Sequence, residues 1–186
     1  MATKHGSQTD PIFLRDLDKA GRRQVLIYAA ARLAAFTVLV LSLYFVIPIG
    51  GFNGDNPAAA WIRLAAVVLV FLATLSLQLR MILAAHIPQL RAAVTVVEAV
   101  LMFLCLFGLL YTSLSLTDPS SFSEPLSKTD ALYFTTSTFA TVGFGDITPV
   151  SQLARSVVSV QMIADLGVLL LVVKVAFFAA GRRLGQ

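Results

Sequence analysis

Thr141-Val142-Gly143-Phe144-Gly145-Asp146 follows a short polar and aromatic stretch and precedes a long apolar run. Gly143 and Gly145 stand at alternate positions, where they permit φ > 0 without the steric cost a side chain would bring. A backbone that alternates in this way turns successive carbonyls to one side. Four such chains around an axis stack rings of oxygen that can replace the water shell of a dehydrated potassium ion. The Thr141 hydroxyl offers one more ring at the inner end.

The surrounding chain is membrane-like. Of its 186 residues 58% are hydrophobic and 13% charged, with a mean hydropathy of +0.83. A soluble domain of this length has no interior large enough for that much apolar surface. The net charge of +4 comes from scattered basic residues near helix ends, a pattern that argues against nucleic acid as a partner. The single cysteine, Cys105, excludes an intrachain disulfide and a cysteine-based metal site. The first 23 residues are too polar for a cleavable signal peptide.

Four apolar segments, 24–47, 61–85, 92–116 and 152–178, each reach the roughly 20 residues that a bilayer core requires. Lys4, Arg15, Lys19, Arg22 and Arg23 precede the first, Arg80 and Arg91 flank the second connection, and Arg182 and Arg183 end the chain. This bias predicts cytoplasmic termini in a multi-pass protein of the plasma membrane. The connections holding Asp55, Asp118, Glu124, Asp130 and Asp146 then face outside, where acid concentrates cations. Ordinary solvated loop charge accounts for any one of them equally well. Asp10 and Pro11 mark a helix start for a short interfacial helix over 10–20. His86, in the inner connection, belongs to the residue type that can sense pH near neutrality, but a plain loop histidine is the better reading.

Residues 130–140, Asp-Ala-Leu-Tyr-Phe-Thr-Thr-Ser-Thr-Phe-Ala, are too few to span. With Asp130 as N-cap they form a half-helix that re-enters the membrane and aims its negative end at the axis. Half-helix, Thr-Val-Gly-Phe-Gly-Asp, Pro149 and a flanking span on each side together resemble the pore of the tetrameric potassium channels, in the Phe form of its filter. The resemblance covers roughly residues 92–178. It implies a homotetramer around one pore, with Thr141, Val142, Gly143, Phe144 and Gly145 supplying ion-binding oxygens and K⁺ held at Thr141 through Phe144. The K⁺ is the permeant ion, and no other cofactor and no soluble partner are implied. In the small bacterial relatives the filter Asp is braced by a Trp and a Glu. Tyr133 and Ser137 fall at those places, so the acidic partner is missing and Phe144 lacks the hydroxyl of Tyr. The prediction is a clamp from Tyr133 to Asp146.

The fold class is therefore an all-α membrane protein. Four transmembrane helices join a re-entrant pore helix and filter loop, as a homotetramer in the lipid bilayer. The division is a cytoplasmic segment 1–23, a peripheral two-helix region 24–85, a pore domain 92–178 and a cytoplasmic tail 179–186. In the last helix Gln161 and Asp165 share a face, and a carboxylate at membrane depth is a functional candidate. Asp165 either edges the central cavity or faces the pore helix, held by Ser or Thr hydroxyls. Leu166, Leu169 and Val173 are candidates for the cavity or gate wall. Glu98 pairs with Arg32 or with Lys174, a choice the sequence leaves open. Arg63 and Arg80 are too far apart for steep voltage sensing.

Competing readings are weaker. Gly143-Phe144-Gly145-Asp146 also resembles the Gly-x-Gly-Asp pattern of intramembrane aspartyl proteases, but the partner Tyr-Asp is absent, and no catalysis is predicted. A potassium-uptake transporter subunit would carry four filters in one chain. A non-selective cation channel differs only in filter geometry and is the nearest alternative.

Overall fold

The computed structural model describes residues 18–49, 69, 73 and 88–181. The predicted second span apart from Leu69 and Ala73, residues 10–17 of the predicted interfacial helix, His86, Arg63 and Arg80 lie outside the described residues. Among the described residues four extended helices follow in chain order: α1 (Lys19–Val46), α2 (Pro88–Thr117), α3 (Lys128–Phe139) and α4 (Gln152–Gly181), with a 3₁₀ turn at Pro119–Ser121. Among the described residues there is no strand beyond an isolated antiparallel bridge between Phe122 and Pro149. The fold is all-α, and among the described residues three helices are long and apolar enough to cross a membrane.

Local chemistry sets the ends. Asp18 caps α1 by accepting the Gly21 N–H at 2.9 Å, so the helix begins before the predicted 24 and takes in Arg22 and Arg23. Pro48 follows its last turn and cannot continue it. Pro88 is the first described residue of α2. α3 starts at Lys128 and not at 131. Its N-cap is Ser127, and Asp130 closes a capping box from the N3 position (3.0 and 3.3 Å). At 12 residues α3 measures about 18 Å, well short of a ~30 Å hydrocarbon core.

α2 is the central element, packed by α1, α3 and α4. Arg32 meets Glu98, and further along both helices Tyr44 lies over Gly108. α1 and α2 therefore run parallel, and the chain leaves α1 at one end of the pair and enters α2 at the other. The core holds Tyr111 and Leu114 of α2, Phe122 and Leu126 of the connection, Ala131 and Phe134 of α3, and Ala154 and Val158 of α4. Tyr111, Phe122 and Phe134 meet edge to face, with ring centroids 5.3–5.7 Å apart, the arrangement aromatic quadrupoles favour. Phe122 thereby anchors the 118–127 connection. The same stretch pairs with the chain after residue 146 through Ser123 N–H to Thr148 O (2.9 Å) and Val150 N–H to Ser121 O (2.8 Å).

Candidate functional site

α3 delivers its C-terminus to the 141–146 loop. The Ala140 N–H still closes a helical bond on Thr136 O (2.9 Å), and the Thr141 N–H bonds Thr138 O (2.9 Å). The amides of Val142 and Gly143 then both fold back onto the Ser137 carbonyl, at 3.0 and 3.2 Å. A trans peptide points its C=O opposite its N–H, and the described residues hold no cis peptide. The carbonyls of Thr141 and Val142 are therefore turned together, away from α3.

The backbone alternates as its glycines suggest, and one position further. φ is +58° at Thr141, +53° at Gly143 and +79° at Gly145. Threonine is β-branched, so this conformation costs on the order of 1–3 kcal/mol, held in place by the amide bonds to α3. Val142 and Phe144 leave the loop on its α3 side. With Leu132, Tyr133, Thr136, Ser137 and others they line an open apolar groove of about 440 Å³.

Tyr133 Oη donates to Asp146 Oδ2 at 2.8 Å, the pairing the sequence predicts, and the Tyr133 and Phe144 rings stack within 6° of parallel. Asp146 Oδ1 also accepts the Ile147 N–H at 3.0 Å. The Tyr133 bond, first among its causes, holds the Asp146 carboxyl below its ordinary 3.8, and the same bond raises the Tyr133 hydroxyl above 10.0. Ser137 contributes differently from the expected side-chain support. Its Oγ donates to Phe134 O within α3 (3.0 Å), while its backbone carbonyl receives the loop amides.

In α4 the expected cavity set divides. Ala154, Val158, Gln161 and Asp165 recur at 3–4 spacing and all are buried, forming the stripe that packs on α2 and α3. Gln161 accepts from Tyr111 Oη (2.5 Å) and gives Nε2 to Thr135 O and Asp165 Oδ2, each at 3.3 Å. Asp165 thus faces inward within the single chain, held by the Gln161 amide and not by Ser or Thr hydroxyls. Leu169 is half-buried beyond this stripe. Leu166 and Val173 fall on the exposed stripe with Ile163, Leu170 and Phe177, and Leu169, three residues from Leu166 on the same face, lies at its buried edge.

Glu98 takes Arg32, not Lys174. Arg32 Nη2 lies 2.8 Å from Oε2 of a fully buried Glu98, and Lys174 is exposed on α4. Sequence reasoning passed over Tyr44, Gly108, Tyr111, Thr135 and Lys128. Lys128 alone carried a signal, as the one basic residue between 117 and 151.

Comparison with known proteins bears on this half of the molecule. Nothing among the curated proteins or the solved structures matches the chain. The model of a family described as "Ion channel" matches residues 98–180. That stretch runs from Glu98 of α2 through α3 and the 141–146 loop into the last turn of α4, and leaves α1 outside. Residues 98–180 are similar to an ion channel family, and the match supports an ion-conducting membrane protein.

Proposed function

We propose that four copies of this chain form a potassium-selective channel that passes K⁺ down its gradient through one central pore. The observation that carries this reading is the common direction of the Thr141 and Val142 carbonyls, with φ > 0 at 141, 143 and 145. Thr141, Val142, Gly143, Phe144 and Gly145 are the ion-binding set, 92–178 the pore domain, and α3 the pore helix whose negative end favours a cation at the axis. Asp146 sits at the outer mouth, and both termini are cytoplasmic in the plasma membrane, by the Lys/Arg bias. Asp146 is engaged by Tyr133 and Asp165 by Gln161. Among the described residues the two carboxylates bond different partners, so conduction is a better reading than a proteolytic dyad, which needs two carboxylates sharing a proton.

One observation favours a less selective variant. The Ser137 hydroxyl is turned into α3 and Phe144 has no hydroxyl, so the Tyr133–Asp146 bond braces the loop without the acid that small bacterial relatives add. Reconstitution of the full chain in a planar bilayer under opposed K⁺ and Na⁺ gradients separates the two. A reversal potential at the K⁺ value is expected; one midway, or near the Na⁺ value, removes the selectivity claim.

A further inference from the structure

Lys128 occupies the first position of α3, where the helix dipole disfavours a cation. Its ammonium donates to the carbonyls of Tyr44 (3.0 Å), Phe45 (2.8 Å) and Ile47 (2.6 Å). These end α1, whose own last turn carries no basic residue, and a helix C-terminus is where the dipole favours positive charge. In return Tyr44 Oη donates to the Lys128 carbonyl at 2.6 Å. Tyr44 is 2% exposed and fits the gap left by Gly108, where a Cβ would come within 2.8 Å of its Oη.

The start of α3 is thus tied to α1 by four hydrogen bonds. Its end carries the Ser137 carbonyl on which the loop amides close. A 12-residue helix transmits displacement from one end to the other. No acid stands at position 137 to fix the far end from behind. We infer that Lys128 is a positioning residue for the 141–145 loop, joining α1 to the pore helix so that α1 holds the ion-binding geometry in place. The inference rests on the conduction reading above.

An ion that binds only the ordered loop stabilises it by mass action, so weakening the joint raises the K⁺ concentration needed to sustain conduction. The test measures K⁺ flux against K⁺ concentration for the full chain in liposomes, with Lys128→Met, Lys128→Arg and Tyr44→Phe. Losing three charge-assisted bonds in Lys128→Met is expected to raise the half-maximal K⁺ roughly tenfold or more. Tyr44→Phe shifts it the same way by less, and Lys128→Arg restores most of the wild-type value. Unchanged K⁺ dependence in Lys128→Met overturns the inference, even if the protein is less heat-stable, because a merely structural role predicts that pair of results. If Lys128→Met does not insert, Tyr44→Phe decides by the same two outcomes. A wild-type chain that passes no K⁺ overturns the conduction reading, and the inference falls with it.

Discussion

At the residue scale, the Tyr133–Asp146 bond makes the sharpest predictions. Tyr133→Phe keeps the ring stacked on Phe144 and removes only the donor. Conducting periods of single channels in a bilayer are expected to shorten several-fold, with the K⁺/Na⁺ permeability ratio retained. The pH dependence follows from the two shifts. Asp146 is depressed below 3.8, so its contribution is present above that value and lost as pH falls through its lower folded value. Tyr133 is raised above 10.0, so its contribution is present below that value and lost as pH rises through its higher one. Between these limits the brace is constant. The rate at which the channel leaves the conducting state is therefore expected to be flat through neutrality, and a titration there would assign the brace to another group. Thr141 shows what sequence hides at this scale: two glycines announce φ > 0 at 143 and 145, but nothing in a threonine announces it at 141. Only the amide bonds from 142 and 143 to Ser137 impose it.

At the element scale, Gly108 is the notch of the α1–α2 contact. Gly108→Ala places a Cβ 2.8 Å from Tyr44 Oη. Tyr44 must move, its bond to Lys128 O lengthens, and an overpacking cost of about 1–3 kcal/mol is expected, read as a lower midpoint of thermal unfolding in detergent. The helices themselves were legible because apolar runs and their Pro and Ser boundaries are local properties. α3 was legible as an element but entered three residues late, since Asp130 serves as the N3 half of a capping box as readily as an N-cap. The orientation of α4 was half legible. Gln161 and Asp165 do share a face, but which neighbour that face meets depends on Tyr111 and Thr135, residues distant in sequence and ordinary in type. Leu166, Leu169 and Val173 do share a face by their 3–4 spacing, but spacing alone leaves open how far packing against α2 and α3 covers that face, and it reaches only Leu169.

At the scale of the whole molecule, α1 is attached at two depths, by Arg32–Glu98 at its middle and by Lys128 at its end. The first attachment is a buried ion pair, with Glu98 fully buried and Arg32 29% exposed at the side chain. Breaking one side of such a pair costs about 3–5 kcal/mol, while replacing both partners with apolar groups is far milder. Arg32→Ala is thus expected to destabilise the detergent-solubilised protein strongly, and Arg32→Leu with Glu98→Leu to recover most of the loss. A double variant as unstable as the single one would show that Glu98 is needed for something other than its guanidinium partner.

A helix free to tilt absorbs a change in bilayer thickness by itself, at fractions of a kcal/mol per Å of mismatch. α1 is pinned at its middle and at its end to the elements that carry the 141–146 loop, so it tilts only together with them. Lipid acyl-chain length then becomes an input to conduction: K⁺ flux in vesicles of graded chain length is expected to pass through a maximum, and Lys128→Met to flatten it.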